Sequence, residues 1–349
     1  MAKKGEARAP MALYRTYRPK TFGEVRGQDQ VVTVLEAAVK KDEIAHAYLF
    51  AGSRGTGKTS MARLLAAAVE TADEDIYEMD AASNRGIDEI RELRDGVATL
   101  PFNSRYKFYI IDEAHALTRD AWGALLKTLE EPPSHVVFVL ATTELDRVPE
   151  TIASRCQVYQ FKKPTHEVLK RLVMDVAKKE GASMDAAGAE LIAIMGEGSF
   201  RDTLSILQKV LTVSSDRKLT EEEVGKVVGA PPTTVLRDFL KALADRNIEH
   251  ALKALAESTQ AGADPRVFVL LALEKVRGVL LLRYAPKLES SLTEQFGSDD
   301  LKILKELAGA RGAAINSTVL AELLTAYIET SRAPNPTVPL ELALYRLFG

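Results

Sequence analysis

The chain has 349 residues, enough for two or three domains, and 46% apolar and 27% charged residues, the balance of a globular protein. This composition excludes a disordered or fibrous protein. The formal net charge is -3, but residues 1–26 carry seven Lys and Arg against two Glu, which leaves -8 on the remainder. A nucleic-acid partner would therefore require a local basic surface.

The cysteine content and the apolar runs indicate where the protein works. Cys156 is the only cysteine, which excludes an internal disulfide bond and a zinc site built from several thiolates and fits a reducing compartment. Every apolar run falls far short of the roughly 20 residues needed to cross a bilayer. We therefore expect a soluble, cytoplasmic protein without a membrane partner. Residues 1–10 are interpreted as a flexible N-terminal tail.

Strand patterns alternate with helix patterns in the first 163 residues. Strands rich in Val and Ile with helices between them predict a parallel sheet covered on both faces. The predicted helices cover 28–41, a segment after the glycine-rich stretch at 52–57, 87–97 and 119–130, and the predicted strands cover 47–51, 76–79, 108–111 and 136–140.

Helical patterns dominate after Pro164, over 167–179, 185–195, 201–213 and 221–228. The prolines at 231–232 mark a boundary, because proline breaks a running helix and disfavours helix in the residue before it. Everything beyond is predicted to be helical, with the proline-containing stretch 333–339 just before a last amphipathic helix. The predicted segments are a tail (1–10), an α/β domain (11–163), a small helical domain (164–229) and an all-helical domain (230–349).

A phosphate-binding loop is predicted where the first strand ends. Residues 52–59 read GSRGTGKT and match the pattern G-x-x-x-x-G-K-[ST]. The glycines would turn backbone N–H groups towards phosphates, Lys58 would reach the β and γ oxygens, and Thr59 would ligate Mg²⁺. An ordinary glycine-rich turn is the alternative, and the flanking strand and helix favour the phosphate loop. The predicted nucleotide-binding residues are Gly52, Ser53, Arg54, Gly55, Thr56, Gly57, Lys58, Thr59 and Ser60.

Two carboxylates follow the strand predicted over 108–111. Asp112 and Glu113 would lie at its carboxyl end, where ligands bind in open α/β sheets. Asp112 would hold Mg²⁺ through water, and Glu113 would polarise the attacking water as general base. A strand-end turn rich in acids is the alternative. Together with the phosphate loop, the pair predicts an ATPase with ATP and Mg²⁺ as cofactors.

Four further segments resemble bacterial DNA polymerase III gamma/tau clamp-loader subunits, which are AAA+ ATPases. They are residues 14–22 with Gly27 and Gln28, residues 80–87 (DAASNRGI), residues 126–133 (LKTLEEPP) and residues 154–156 (SRC). The similarity is strong over about residues 14–208. In the helical remainder, the elements match the family in position and character more than in residue identity. The similarity implies a RecA-like AAA+ core, a helical lid over 164–229 and a collar over 230–349 that joins subunits in a ring.

The resemblance also implies roles for single residues. Thr143 is similar to the sensor-1 residue that reads the γ-phosphate, with Thr142 as the alternative. Arg155 resembles the arginine finger that completes the ATP site of a neighbouring subunit, and would otherwise be a surface arginine. Arg201 resembles the sensor-2 arginine of the lid, and would otherwise pair with Asp202 at the start of a helix.

The segment near the N-terminus is similar to the adenine side of the family's ATP pocket. The residues in question are Tyr17, Arg18, Pro19 and Val25. An aromatic residue and a proline in a basic segment are equally compatible with ordinary packing.

The chain departs from the family where gamma/tau subunits usually carry a cysteine-rich zinc module. Only residues 71–75 fill the interval between the helix after the phosphate loop and the next strand. We therefore expect no metal besides Mg²⁺. Cys156, with no base suggested near it, is expected to be a packed side chain and not a nucleophile.

Arg85 and the basic residues of the helix that follows it, over 87–97, are candidates for binding DNA, since phosphate contacts need only well-placed cations. A solvated face is equally compatible, because acidic residues are interleaved. The cations are Arg85, Arg91 and Arg94, and the acids are Glu89, Glu92 and Asp95.

The resemblance implies ATP-dependent loading of a sliding clamp onto primer-template DNA, by a pentamer of homologous and paralogous clamp-loader subunits. One alternative is another AAA+ DNA motor, such as a branch-migration helicase, although the helical C-terminal region argues against its winged-helix domain. The other is a non-hydrolysing clamp-loader scaffold, which would lack the working phosphate loop present here.

Overall fold

The computed structural model describes residues 11–84, 86–310 and 314–349. The chain forms two compact units. The sheet unit comprises the residues up to Val168 and the segment Gly198–Asp202, and the helical unit comprises Leu169–Glu197 and Thr203–Gly349. The predicted tail at residues 1–10 lies outside the described residues. The predicted boundaries between core, lid and collar stay predictions.

The sheet unit is built from alternating strands and helices. Its strands are β1 Ala47–Gly52, β2 Ile76–Asp80, β3 Lys107–Asp112, β4 Val136–Thr142 and β5 Gln157–Phe161. Its helices are α1 Leu13–Thr16, α2 Asp29–Lys41, α3 Lys58–Ala68, α4 Ile87–Val97, α5 Arg119–Glu130 and α6 Glu150–Ala153.

The described strands form a five-stranded sheet in the order β2-β3-β4-β1-β5, in which every neighbouring pair is parallel. The central strands β1, β3 and β4 are buried along almost their whole length, as their continuous apolar runs predict. One core cluster covers one face, with Leu49, Trp122 and Phe138. The other covers the opposite face, with Phe50 and Leu65. The predicted parallel sheet with helices on both faces is confirmed.

Strand β5 was not predicted from the sequence. It pairs with β1 at the edge of the sheet, and within it only Phe161 is fully buried. Two glutamines, Gln157 and Gln160, interrupt its apolar residues, because a strand at a sheet edge needs to bury less of its surface. The predicted strands and helices before it are confirmed, with ends that differ by one or two residues.

A buried carboxylate fixes the loop between α4 and β3. Asp75, fully buried, accepts the backbone N–H groups of Phe102 at 2.6 Å and of Asn103 and Ser104 at 3.0 Å each. Hydrogen bonds from three consecutive amides stabilise a carboxylate. The loop is therefore held at its middle.

Lys107 anchors the start of the same loop, where it leaves α4. Its ammonium donates to the carbonyl of Gly96 and to the hydroxyl of Thr99, both at 2.8 Å. Between these anchors, the side chains of Leu100 and Phe102 are 75% and 78% exposed. The loop thus presents two apolar side chains to solvent from a well-anchored backbone.

The remaining elements are mostly helical. They are α7 His166–Lys179, β6 Ser183–Met184, α8 Ala186–Met195, α9 Phe200–Val213, β7 Lys218–Leu219, α10 Glu221–Val228, α11 Thr233–Ala244, α12 Ile248–Gln260, α13 Pro265–Tyr284, α14 Glu289–Gly309, α15 Ser317–Thr330 and α16 Val338–Phe348.

The sequence predicted that the last helix begins after Pro339. Helix α16 begins at Val338 instead, so Pro339 lies in its first turn. A proline is tolerated there because its missing N–H would have had no partner within the helix. Among the described residues, no helix combines the length and the apolar character that crossing a membrane requires.

Candidate nucleotide-binding and hydrolysis site

The loop between β1 and α3 has the backbone of a phosphate cradle. Gly55 and Gly57 have φ values of +73° and +102°, in the left-handed region that favours glycine. A Cβ atom at Gly57 would meet nothing within 4 Å, so this side of the loop is open. Helix α3 begins directly behind it, and its N-terminal N–H groups favour an anion.

Lys58 lies inside this loop and not at the surface. It is 6% exposed, and its ammonium donates to the carbonyls of Gly52 at 2.7 Å and Ser53 at 2.9 Å. Burial lowers the pKa of Lys58, and the charges of Glu113 and Asp112 partly offset that effect. An ammonium group has three N–H donors, so the geometry leaves a third for a phosphate oxygen.

The Mg²⁺ ligands predicted from the sequence are in direct contact. The Thr59 hydroxyl donates to Oδ2 of Asp112 at 2.7 Å, which joins the start of α3 to the end of β3. Hydroxyl and carboxylate oxygens suit Mg²⁺, which takes few protein ligands and completes its shell with water and phosphate. Across residues 11–84, 86–310 and 314–349, no three His, Cys, Asp or Glu side chains are grouped to hold a metal by themselves.

Glu113 and Thr143 are brought together from neighbouring strands. The Thr143 hydroxyl donates to Oε2 of Glu113 at 3.0 Å. Glu113 has a φ of +48°, unusual for a residue other than glycine, directly after β3. Thr142, the alternative sensor residue, is fully buried and its hydroxyl contacts other partners. Of the two threonines, Thr143 is the one at the Glu113 carboxylate.

His115 is a member of the site that the sequence did not indicate. Its Nδ1 lies 3.1 Å from the Thr142 hydroxyl and 3.5 Å from Oε2 of Glu113, and its Nε2 lies 3.3 Å from Oε1 of Glu144. The signal in the sequence was the position of His115, two residues after Glu113. The pairing of β3 with β4 brings His115 into contact with Thr142 and Glu144.

Arg201 lies close to the phosphate loop through its neighbours in the chain. The N–H of Phe200 donates to the carbonyl of Gly55 at 2.9 Å. A Cβ atom on Gly55 would lie 2.0 Å from the Ser199 hydroxyl oxygen. The Arg201 guanidinium lies 4.9 Å from the centre of the Tyr14 ring, a cation–π distance. The segment Gly198–Asp202 thus packs as part of the sheet unit, and the sequence did not indicate Tyr14.

The residues predicted for the adenine side lie around the short helix α1 and the loop after it. Tyr17 ends that helix, Arg18 and Pro19 are half-buried, and Val25 packs against a core cluster. Burial, followed by the nearby charge of Arg63, lowers the pKa of Arg18. The packing of Val25 agrees with the packing alternative, and the adenine-side role stays a prediction.

Arg155 is held at the surface of the sheet unit. Its guanidinium donates to Oε1 of Glu130 and to the carbonyl of Thr151, both at 2.7 Å. The role of Arg155 as an arginine finger stays a prediction. Burial raises the pKa of the adjacent Cys156 to about 12, and Cys156 packs against a core cluster, as expected for a thiol that is not a nucleophile.

The cations proposed to bind DNA are engaged on their own helix. Arg91 pairs with Asp88 at 3.1 Å and Arg94 with Asp95 at 3.2 Å, all of them largely exposed. Arg85 lies outside the described residues. Both interpretations of this helix face, as a DNA contact or as a solvated surface, therefore stay open.

Comparison with known proteins places the chain in a family. The family model of the DNA polymerase III delta subunit matches residues 27–85 and 71–165, and that of domain III of the DNA polymerase III gamma and tau subunits matches residues 219–349. The chain is 39% identical to DNA polymerase III subunit tau of Bacillus subtilis over 84% of the chain. It is 36% identical to DNA polymerase III subunit gamma/tau of Mycobacterium tuberculosis over 97% of the chain. The chain belongs to the DNA polymerase III gamma/tau clamp-loader family.

The chain of this gamma/tau homologue spans 56% and 62% of the length of these two relatives. Solved structures of the Thermotoga maritima RuvB Holliday junction branch migration motor resemble it with a TM-score of 0.53, at 22% identity, over 71% of this chain and 86% of RuvB. At this identity the likeness shows the fold alone. The predicted AAA+ α/β core with helical C-terminal regions is thereby confirmed, and so is the predicted family.

Proposed function

We propose that this gamma/tau homologue binds ATP with Mg²⁺ and hydrolyses it. One observation carries the proposal: Lys58, Thr59 with Asp112, and Glu113 with Thr143 converge where β1, β3 and β4 end. Ligands of open α/β sheets bind at this edge.

The proposed chemistry follows from the groups present. The open backbone of the phosphate loop and Lys58 bind the β and γ phosphates. The Thr59 hydroxyl, and Asp112 through water, would hold Mg²⁺, which would neutralise phosphate charge as it develops. Glu113 accepts a proton from the attacking water. Thr143 donates to the γ-phosphate, and Arg201 contributes a further positive charge beside the loop.

The proposal extends to the whole assembly through the family. Homologous and paralogous clamp-loader subunits form a pentameric ring through residues 230–349, and Arg155 completes the ATP site of a neighbour. ATP then favours the state that holds the sliding clamp open, and hydrolysis on primer-template DNA releases it. ATP can shift the assembly only by binding the two states with different free energies.

The deciding experiment measures steady-state ATP hydrolysis by the chain alone and with its companion subunits, sliding clamp and primed DNA. Arginine fingers contribute about 10³–10⁵ in rate in related phosphoryl-transfer enzymes. We therefore expect slow hydrolysis alone and strong stimulation in the full mixture.

Three variants accompany this measurement. Lys58→Ala should abolish hydrolysis, Arg155→Ala should abolish the stimulation, and Lys40→Ala, an exposed lysine of α2, should change neither. Hydrolysis that responds equally to unprimed duplex and ignores the clamp would favour another DNA motor, such as a branch-migration helicase. No hydrolysis in any mixture would favour a non-hydrolysing scaffold.

A further inference from the structure

His115 is part of a small ring of polar contacts beside Glu113. It is in the single turn Ala114–Ala116 that follows β3, and its side chain is 13% exposed. Its two nitrogens face Thr142 and Glu144, the residues directly before and after Thr143 at the end of β4. The imidazole therefore links the turn that carries Glu113 to the segment that carries Thr143.

Three polar contacts close this ring. The backbone N–H of Glu144 donates to the Thr142 hydroxyl oxygen at 3.0 Å. Nδ1 of His115 forms a hydrogen bond with the same hydroxyl at 3.1 Å, in which either group donates according to the imidazole tautomer, since a hydroxyl has one proton and two acceptor lone pairs. Nε2 of His115 lies 3.3 Å from Oε1 of Glu144.

This ring constrains the pair that the proposed hydrolysis uses. Thr142 and Glu144 are the chain neighbours of Thr143, which is 3.0 Å from Glu113. Nδ1 of His115 lies 3.5 Å from the same Glu113 oxygen, so the imidazole edge also limits where that carboxylate can move. The other oxygen of Glu144 binds Arg147 at 3.0 Å, which fixes the outer side of the ring.

We propose that His115 is a positioning residue that holds Thr143 at the correct distance from Glu113 through Thr142 and Glu144. The inference rests on the proposed ATP hydrolysis and adds to it a residue that contacts neither phosphate nor metal ligand. Displacements of about 1 Å at a reacting group reduce rates by up to about 10²-fold. Loss of the ring should therefore slow the chemical step and leave nucleotide affinity almost unchanged.

The kinetic test compares four single variants and one double variant in single-turnover ATP hydrolysis and in equilibrium ATP binding. His115→Ala should lower the rate of hydrolysis about tenfold, which is less than the 10²-fold loss that a displacement of about 1 Å can cause. The dissociation constant for ATP should change less than about twofold. His115→Asn should restore part of the rate, because its amide reaches the position of Nδ1. His250→Ala, on the exposed face of α12, is the control and should match the wild-type chain.

Thr142→Val provides the fourth variant and the sharper test. Its loss of rate should equal that of His115→Ala, and the double variant should lose little more, since both break the same ring. Losses that multiply, a wild-type rate in His115→Ala, or a fall in affinity that matches the fall in rate would each overturn the inference.

A spectroscopic measurement decides the ring independently of hydrolysis. In the full chain labelled with ¹⁵N-histidine, two-bond proton–nitrogen correlations should give one set of His115 signals, assigned by its loss in His115→Asn. Thr142→Val should shift these signals, because it removes the hydroxyl at Nδ1. His115 signals that keep their wild-type positions in Thr142→Val would overturn the inference. If the wild-type chain fails to hydrolyse ATP, the proposed function fails while this spectrum still tests the ring.

Discussion

The Thr143 hydroxyl donates to Oε2 of Glu113 across 3.0 Å, so the residue expected to read the γ-phosphate is bound to the residue expected to activate water. A threonine hydroxyl carries a single proton. It cannot donate to Glu113 and to a phosphate oxygen at once, so the two contacts are alternatives. Arrival of a γ-phosphate would therefore release the Glu113 carboxylate.

Replacing Thr143 should separate binding from hydrolysis. Removal of one donor to developing charge costs about 10²–10³ in rate in other enzymes. We expect Thr143→Val to lower the single-turnover rate by at least about tenfold, with ATP affinity within about threefold of wild type. Thr143→Ser keeps the hydroxyl and should retain most of the rate. A Thr143→Val chain that hydrolyses ATP normally would remove Thr143 from the site.

The contact between Gly55 and Ser199 offers a test of the phosphate loop. In Gly55→Ala the new Cβ would lie 2.0 Å from the Ser199 oxygen, in a backbone with φ of +73°. The left-handed backbone alone costs about 1–2 kcal/mol, or roughly 5–30-fold in a binding constant. We therefore expect a loss of ATP affinity above that range, measured by titration with a fluorescent ATP analogue.

The matched variants separate the clash from the backbone strain. Gly55→Ala carries both costs, the clash with Ser199 and the strain of a φ of +73°. Ser199→Gly removes the clashing atoms and should restore part of the affinity to Gly55→Ala. No restoration in the double variant would show that Ser199 does not constrain the loop.

The carboxylate of Asp75 should make the 98–106 loop sensitive to acid. Burial alone would raise the pKa of Asp75, but hydrogen bonds from the Phe102, Asn103 and Ser104 amides and the Ser104 hydroxyl outweigh it and lower that pKa. A carboxyl group with a lowered pKa stabilises the folded state above its unfolded pKa of about 3.9. That stabilisation is lost as the pH falls through the lowered folded pKa.

Asp75→Asn should accordingly loosen the loop at neutral pH. We expect faster hydrogen exchange at residues 102–104, equivalent to about 1–3 kcal/mol of lost local stability. The difference from wild type should narrow as the pH falls below about 3.9, where the stabilisation by the ionised carboxylate begins to decline, and should vanish below the lowered folded pKa. Asp73→Asn, exposed in the same turn, is the control. Equal exchange in Asp75→Asn and wild type at pH 7 would contradict this account.

The ion pair between Arg155 and Glu130 should matter for assembly and little for folding. Its side chains are 36% and 44% exposed, and exposed ion pairs contribute about 0–1 kcal/mol. Glu130→Gln should therefore leave the unfolding temperature of the isolated chain almost unchanged. If Arg155 must leave Glu130 to reach a neighbouring ATP, Glu130→Gln should preserve or raise the stimulated hydrolysis, by at most about fivefold. A loss of stimulation as large as that of Arg155→Ala would show that the pair itself is required.

Local patterns in the sequence predicted most of the sheet unit, because its central strands are continuous apolar runs and its phosphate loop is a fixed motif. They could not predict strand order, which depends on pairing between distant segments. Strand β5 was missed because its glutamines leave it without the continuous apolar run that predicted the central strands.

The residues of the site divide in the same way. Lys58 and Asp112 are visible in motifs, whereas the contacts of His115 and Tyr14 exist only once separate segments are brought together. The role proposed for Arg155 involves a neighbouring subunit, so no pattern within one chain could define it by itself.

The anchored loop that carries Leu100 and Phe102 has a consequence for the entropy of association. A flexible loop loses conformational freedom when its side chains are buried against another surface, and that loss weakens binding. Here Asp75 and Lys107 have already fixed the backbone. The two apolar side chains are thus preorganised. Burying them against another surface would gain hydrophobic free energy, and little of that gain would be lost to ordering the loop.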